Sequence, residues 1–549
     1  MMIGDQFDLW YKNAIFYCVD VAAFYDSNGD GSGDLEGLTS KLDYLAGLGV
    51  TALWLLPFYP SPRRDGGYDV TDYYGVDPKL GSLGDFVNFT RAARDRGMRV
   101  LIDLVVQHTS SEHPWFQAAR SSRDSPYHDF YVWNQKPPPH RRSDLVFPGE
   151  QHALWTYVPE VTSYYRHRFY DHQPDLNTTK PAVRDEIAKI IGFWLELGVC
   201  GFRLDAAPFL MDYTGMDADG SEDPYSVLHD LRRVMSWRRG DAVLLAEANI
   251  PPDEAPNYFQ RGHGVQMMIN FWLNQHLFLA LAQERAEPLR QAICALPLLP
   301  PQSAWANFLR NHDELNLGRL TYMDREHVYS CFAADPSTRI YDRGIRRRLA
   351  AMLGDTRRVE LAFSLILSLP GTPVLFYGDE LGMGDDLSQP ARLAVRTAMQ
   401  WSDQLNAGFS TAAANALHAS VICEGRFGYR HINVAALERE PNSLFNRITR
   451  LIRTRKQCPE IGWGELLPIA TSNDAVFAHI CSWRQDQVLA VHNLSSASAE
   501  VVISRARRGD VALVELVRDS EYPPVDSFDR LFIGPWGYRW FRFGTGPLK

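Results

Sequence analysis

Cysteine is scarce and scattered. The seven in 549 residues stand singly, at Cys18, Cys200, Cys294, Cys331, Cys423, Cys458 and Cys481, and no CxxC pair occurs. An odd, dispersed set excludes a disulfide framework and points to reduced thiols in a reducing compartment. Long hydrophobic runs are missing too. The longest, Leu361–Leu369, ends at Pro370 and is too short to span a bilayer. The segment MMIGDQFDLWYKN lacks a basic region followed by an apolar core, so no signal peptide is expected and a cytoplasmic protein is. Positive charge is nowhere concentrated: the net charge is −10 and no basic stripe stands out, which argues against nucleic acid as a partner. The run Arg346-Arg347-Arg348 sits in a helical stretch and reads as a solvated or salt-bridged face. No phosphate-cradling glycine loop occurs at a strand–helix junction, which argues against a nucleotide.

What is present is the composition of an ordinary globular chain, 45% hydrophobic and 22% charged, with core material in plenty. Short β-branched runs alternate with longer helical patterns. Ile15–Phe24 is followed by a helical Leu35–Leu48, Thr51–Phe58 by a helix around Leu83–Arg96, and then Val100–Val106. Further strand candidates are Gly201–Ala206, Ala242–Ala248, Val265–Phe271, Ala304–Leu309 and Pro373–Tyr377. Alternation of this kind implies parallel strands joined by right-handed crossovers, and eight strands are the number for a closed (β/α)8 TIM barrel. A doubly wound open sheet is the alternative. Between His108 and His172 the text turns irregular, with Pro137-Pro138-Pro139 and many aromatics, as an inserted subdomain would. After Trp463 short alternating strands follow: Ala475–Trp483, Gln487–Asn493, Glu500–Ile503, Val511–Leu516 and Tyr538–Phe543. The expected architecture is a barrel of residues 1–108 and 173–463, an inserted subdomain of 109–172, and a C-terminal antiparallel β-sandwich of 464–549.

The C-terminal ends of barrel strands carry the chemistry of this fold. There the chain places Asp103 and His108 after the third strand, Arg203 and Asp205 in GFRLDA, Glu247 in LLAEAN, and His312 and Asp313 in FLRNHDE. The loop after the second strand adds Asp65, Tyr68 and Asp69. Any one of these acids alone reads as a cap or a salt-bridge partner. Three acids following buried apolar runs and converging on one cavity read differently, because burying carboxylates is costly unless partners compensate. Cleaving a glycosidic bond with retention needs one carboxylate to attack the anomeric carbon and a protonated one, roughly 5–5.5 Å away, to feed the leaving oxygen. Arg203 shares a strand face with Asp205 and is expected to lower its pKa, making Asp205 the nucleophile. The apolar approach to Glu247 is expected to raise its pKa and make it the acid/base. Asp313 is suited to gripping sugar hydroxyls, His108 and His312 to donating to them, and Tyr68 to stacking on a sugar ring.

A separate loop, DSNGDGSGD, sets Asp26, Asn28, Asp30 and Asp34 at positions one, three, five and nine, with Gly31 at six. This is the front half of an EF-hand-like calcium loop, but Gly37 stands where the closing Glu belongs. A structural calcium ion is the expectation; a polar turn is the alternative.

The segments DLVVQHTS, GFRLDAAP, LLAEAN and FLRNHDE, with HQPDLN at the end of the insert, resemble the α-amylase superfamily of retaining α-glycoside enzymes. Four further stretches look like its trehalose synthase group, the maltose α-D-glucosyltransferases: DSNGDGSGDLEGLTSKLDYL, LLPFYPSPRRDGGYDVTDYYGV, FAADPSTRIYDRGIRRRLAAMLG and GPWGYRWFRF. The resemblance implies a nucleophile at Asp205, an acid/base at Glu247 and a transition-state stabiliser at Asp313. It implies substrate-binding roles for Asp65, Tyr68, His108, Arg203, His312 and Arg396. It also implies calcium held by Asp26, Asn28, Asp30, the Ser32 carbonyl and Asp34. The chain departs from the family at Gln107, where Asn is usual, at RLAVRTAMQW (Arg392–Trp401), where RDGVRTPMQW is usual, and at FYCVDVAAF in the first strand. The implied activity interconverts maltose and trehalose. Alternatives are an α-glucosidase or transglucosylase acting on short α-glucosides such as maltose or sucrose, and a non-catalytic sugar- or protein-binding homologue. No membrane partner is expected, and a homo-oligomer is compatible with the sequence.

Overall fold

The computed structural model describes residues 9–213, 223–503, 512–525 and 530–544. Eight strands close a barrel: β1 Phe16–Val19, β2 Ala52–Leu55, β3 Arg99–Leu104, β4 Gly201–Leu204, β5 Val243–Ala246, β6 Met267–Ile269, β7 Ala304–Phe308 and β8 Thr372–Phe376. Each pairs in parallel with its sequence neighbours, and β1 closes the ring against β8 through Phe16–Val374, Tyr17–Leu375 and Cys18–Phe376. All eight predicted runs supply one strand each. Strands in such a sheet are covered on both sides, so they read as unbroken apolar runs, and β1, β2, β4 and β5 are buried at every position.

The predicted helix Leu35–Leu48 is two, Leu35–Ser40 and Leu42–Leu48, the second ended by Gly49 at φ 100°. That left-handed conformation is cheap for glycine. The helix Leu83–Asp95 starts with a capping box, Ser82 and Asp85 each bonding the other's backbone. It buries Phe86, Phe89, Thr90 and Ala93 against the barrel.

The arginine run is not a helical face. Arg346, Arg347 and Arg348 precede the helix Leu349–Leu353 and tie loops together. Arg346 donates to the carbonyls of Leu387 and Gln389, and Arg347 pairs with Asp385. Arg348 is fully buried, bonded to Asp379 at 3.2 Å and to the carbonyls of Tyr377 and Val395. Guanidinium donors satisfy loop carbonyls that burial would otherwise orphan.

The insert carries a three-stranded antiparallel sheet, Trp133–Asn134, Ser163–Arg166 and Trp155–Val158. It is fastened to the barrel by the bridge between His108 and Asp175. Asp175 is 1% exposed and holds Arg166, so this acid of HQPDLN serves the insert's architecture.

The C-terminal region has a five-stranded antiparallel sheet in the order Glu465–Ile469, Val476–Trp483, Asp486–Asn493, Tyr538–Gly544, Ala512–Arg518. A two-stranded sheet, Ala499–Val501 with Leu531–Ile533, packs on it through Val476, Ala478, Leu489, Val491 and Phe541. Val511, where one predicted strand begins, lies outside the described residues, as do residues 545–549. The larger sheet docks on the helix Thr356–Ser368. Trp540 Nε1 donates to Ser364 Oγ at 3.0 Å and the Tyr538 hydroxyl to Glu360 at 2.6 Å. His492 and His479 meet Ser364 Oγ and the Ser368 carbonyl at 3.0 and 2.9 Å. Among the described residues no helix is long and apolar enough to cross a membrane.

Candidate active site

The C-terminal strand ends open into a cavity of about 720 Å3 lined by Asp65, Tyr68, His108, Asp205, Glu247 and Asp313, with Glu314, Arg392 and the aromatics Phe147 and Phe169. Behind its wall lies Arg203, 1% exposed, whose side chain gathers the acids. Nη1 donates to Asp103 at 2.6 Å and also to Asp205, and Nη2 lies 2.7 Å from Glu247 Oε1. The other oxygen of Glu247 accepts from the backbone N–H of Ala206 at 3.1 Å. One guanidinium fork and one peptide thus hold Asp205 and Glu247 side by side, within one side chain's reach.

Local backbone sharpens this. Ala206 has φ 49° and ψ 37°, a left-handed conformation that costs a residue with a Cβ about 1–2 kcal/mol. The strained turn directly follows Asp205 and aims the Ala206 N–H at Glu247. Asp103, fully buried, accepts from Trp54 Nε1 at 3.0 Å and backs Arg203 from the far side. It is a positioning residue.

Burial pushes Glu247 up to about 7 against the pull of Arg203, with Asp205 and Asp313 adding to the rise. That is the expected direction. Asp205 departs from expectation: burial also raises its pKa, and Arg203 only partly offsets this. Like-charge repulsion from Asp313 and Asp65 adds to the rise. Asp313 is the low one. Burial works against it, but His312, Arg392 and Arg396 hold it well below the usual carboxylate range. Burial keeps His312 neutral, so the two guanidiniums supply the charge that counts.

The remaining predicted residues divide. Asp65, Tyr68 and His108 face the cavity. Asp65 accepts from Arg392 at 2.6 Å and from Gln173 at 3.0 Å. Tyr68 lies nearly parallel to His312, with 5.6 Å between ring centroids, and its hydroxyl is 2.7 Å from His312 Nε2. His108 Nδ1 is 2.8 Å from Gln107 Oε1, so the residue that departs from the family pattern fixes this ring. His312 and Arg396 lie behind the wall with Arg203. Arg396 donates to the His312 carbonyl at 2.9 Å and to Asp313 at 3.1 Å. A Cβ at Gly66 would sit 2.0 Å from Arg396 Nη1, so glycine there leaves room for the guanidinium.

Sequence reasoning missed two residues. Arg392 was visible only as the first letter of an altered stretch, yet it spans the cavity, joining Asp65 to Asp313 (2.6 and 2.9 Å) and lying 4.8 Å over the Phe147 ring. Glu314 lines the wall beside Asp313, raised by its burial and by that neighbour's charge. Its signal was the second acid of NHDE.

The Asp26–Asp34 loop lies apart from the cavity. Its donors are all oxygens, as calcium prefers. Those oxygens already have partners, however. Asp26 accepts from the N–H groups of Asn28, Gly29 and Gly31 and from Ser410 Oγ. Asp34 accepts from Ser27 and caps the helix Leu35–Ser40 through Gly37. Among the described residues no three His, Cys, Asp or Glu side chains converge as metal ligands. The residues fit calcium by chemistry, and the loop is self-satisfied by hydrogen bonds.

Barrel, insert, C-terminal sheet and clustered carboxylates define a barrel enzyme, and the chain belongs to the α-amylase family: residues 20–464 match the alpha amylase catalytic domain. Residues 486–542 match the sucrose hydrolase-like C-terminal domain. The chain is 42% identical over 97% of its length to trehalose synthase of Thermus thermophilus, of which it spans 55%. It is 40% identical over 98% of its length to trehalose synthase/amylase TreS of Mycobacterium tuberculosis, covering 90% of that protein. The crystal structure of trehalulose synthase MutB from Pseudomonas mesoacidophila MX-45 superimposes with a TM-score of 0.77 at 26% identity, covering 97% of this chain and 99% of that one.

Proposed function

We propose that the enzyme captures the glucosyl unit of a short α-glucoside on Asp205 and passes it on, converting maltose and trehalose into one another. The observation that carries this reading is the set Asp205, Glu247 and Asp313 on one cavity, the first two joined by Arg203. An Asp205 oxygen attacks the anomeric carbon as the glycosidic C–O bond breaks. Glu247, protonated near neutral pH, gives its proton to the leaving oxygen. The freed glucose turns in the cavity. Glu247, now a carboxylate, takes the proton of its anomeric hydroxyl, whose oxygen displaces Asp205. Asp313, ionised throughout, accepts hydrogen bonds from ring hydroxyls and stabilises the oxocarbenium-like transition state. The aromatic wall of Phe147 and Phe169 limits competing water. Trehalose appearing from maltose, abolished in Asp205→Asn, is the expected result; glucose as the sole product sinks the reading.

A second reading has one observation in its favour. The altered Arg392–Trp401 stretch puts Arg392 across the cavity. An acceptor side reshaped in this way suits an α-glucosidase or transglucosylase that passes glucose to water or another sugar. Product analysis with maltose, sucrose and trehalose in turn separates the two. A binding protein without catalysis is dismissed if an activated α-glucoside turns over.

Calcium in the Asp26–Asp34 loop belongs to the same proposal and rests on the oxygen donor set: the side chains of Asp26, Asn28, Asp30 and Asp34 and the Ser32 carbonyl. Its role is to clamp the loop, with no part in the reaction. One equivalent of calcium bound per chain, with a melting temperature that falls on chelation, is expected; a metal-free protein indifferent to calcium refutes it. A cytoplasmic setting is likewise proposed, supported by seven free thiols.

A further inference from the structure

A second cavity, of about 680 Å3, lies at the opposite end of the barrel. Its floor is the start of β3 (Arg99, Val100) with Cys200, Arg239 and Asp241, which stand just before β4 and β5. It therefore faces away from the strand ends that carry the carboxylates. One wall is a stripe of the helix Leu83–Asp95, formed by Val87, Thr90, Arg91 and Arg94. Spacings of three and four residues put these four on one helical face.

Charge singles the cavity out. In a chain of net charge −10, four arginines border it against two acids, Glu196 and Asp241. Asp241 is already occupied by Arg99 and by Arg239, the latter at 2.9 Å. Arg91 and Arg94 are exposed, and among the described residues neither pairs with a carboxylate. Arg96, on the same helix end, contrasts with them: it is matched to Asp43 at 2.7 Å. Arg91, Arg94 and Arg99 lie close together in RAARDRGMR, and the barrel adds Arg239 from a distant segment.

A volume in the range of roughly 300–1,000 Å3 suits a small molecule. Paired guanidiniums are the residue chemistry that recognises phosphate oxygens. Val87 and Leu197, both half-buried, supply apolar surface beside them, over the buried Met98 and Val100. We propose that this cavity binds a phosphorylated small molecule, its phosphate ester held by Arg91 and Arg94 and its remainder lying on the apolar floor. A sugar phosphate and a nucleotide share this chemistry. Because a full strand length separates the cavity from Asp205, the ligand is not a reactant there.

Isothermal titration calorimetry on the full chain tests this with inorganic phosphate, glucose 6-phosphate and ATP, each at low and high salt. One ester should bind saturably at one site per chain, more tightly than inorganic phosphate and less tightly as salt rises. Which ester binds identifies the source. Arg91→Ala/Arg94→Ala should weaken binding about tenfold or more, while the ligand-free melting temperature and turnover of an activated α-glucoside stay unchanged. No saturable binding by either ester overturns the proposal. So does binding that the double variant retains, or inorganic phosphate matching both esters, which would mark a mere anion patch.

Discussion

At the scale of single residues, the site works by sharing cations among too many acids. Arg203 serves Asp103, Asp205 and Glu247, while Arg392 and Arg396 converge on Asp313. The outcome is a Glu247 pushed up to about 7 and an Asp313 held ionised. Two outcomes follow. Turnover should fall as pH rises through about 7, where Glu247 loses the proton it must donate; kcat/KM against pH reads this limb directly. Arg392→Ala removes a cation and a hydrogen bond from Asp313 and should lower kcat/KM about tenfold or more. An unchanged kcat/KM would make Arg392 a spectator. The sequence named the three acids because each follows a buried apolar run. It could not show that Asp205 is raised, since that depends on how deeply it is buried and on Asp313 and Asp65 being brought beside it.

At the scale of elements, legibility tracked burial. The eight barrel strands read clearly because both faces are covered and most positions are apolar. The strand Glu465–Ile469 escaped notice because it is an edge strand, buried only at Ile469, with Pro468 inside it, and within sheets proline is confined to edges, strand starts and bulges. The insert's short strands are held by contacts with the barrel that no local periodicity announces. The arginine triplet is salt-bridged, as one half of the sequence reading had it, but it is no solvated helical face: its partners are Asp379, Asp385 and carbonyls brought from distant loops. Capping, by contrast, is local and strong. Ser82→Ala should cost the helix Leu83–Asp95 about 1 kcal/mol, since Ser82 Oγ accepts the Asp85 N–H. Urea titration monitored by hydrogen exchange in that helix measures the loss.

At the scale of the whole molecule, the helix Thr356–Ser368 belongs to both halves, and the C-terminal sheet closes on it through two buried histidines. Burial lowers His479 to about 4, partly offset by its bond to the Ser368 carbonyl, and drives His492 well below its usual range. Both bind protons more readily once unfolded, near 6.5. Their contribution is therefore complete above 6.5 and lost as pH falls from there toward 4. Melting temperature should drop through that window, and His479→Gln should flatten the slope. An equal slope in the variant would locate the acid sensitivity elsewhere.

One side chain at the end of the insert leaves a sharper mark than its size suggests. Gln173 touches Asp65 at 3.0 Å and His108 at 3.2 Å, so two faces of the sugar cup lean on the junction where the insert rejoins the barrel. Shortening that amide reach, as in Gln173→Ala, would loosen Asp65 and His108 together while leaving the backbone ties of this junction to the barrel in place.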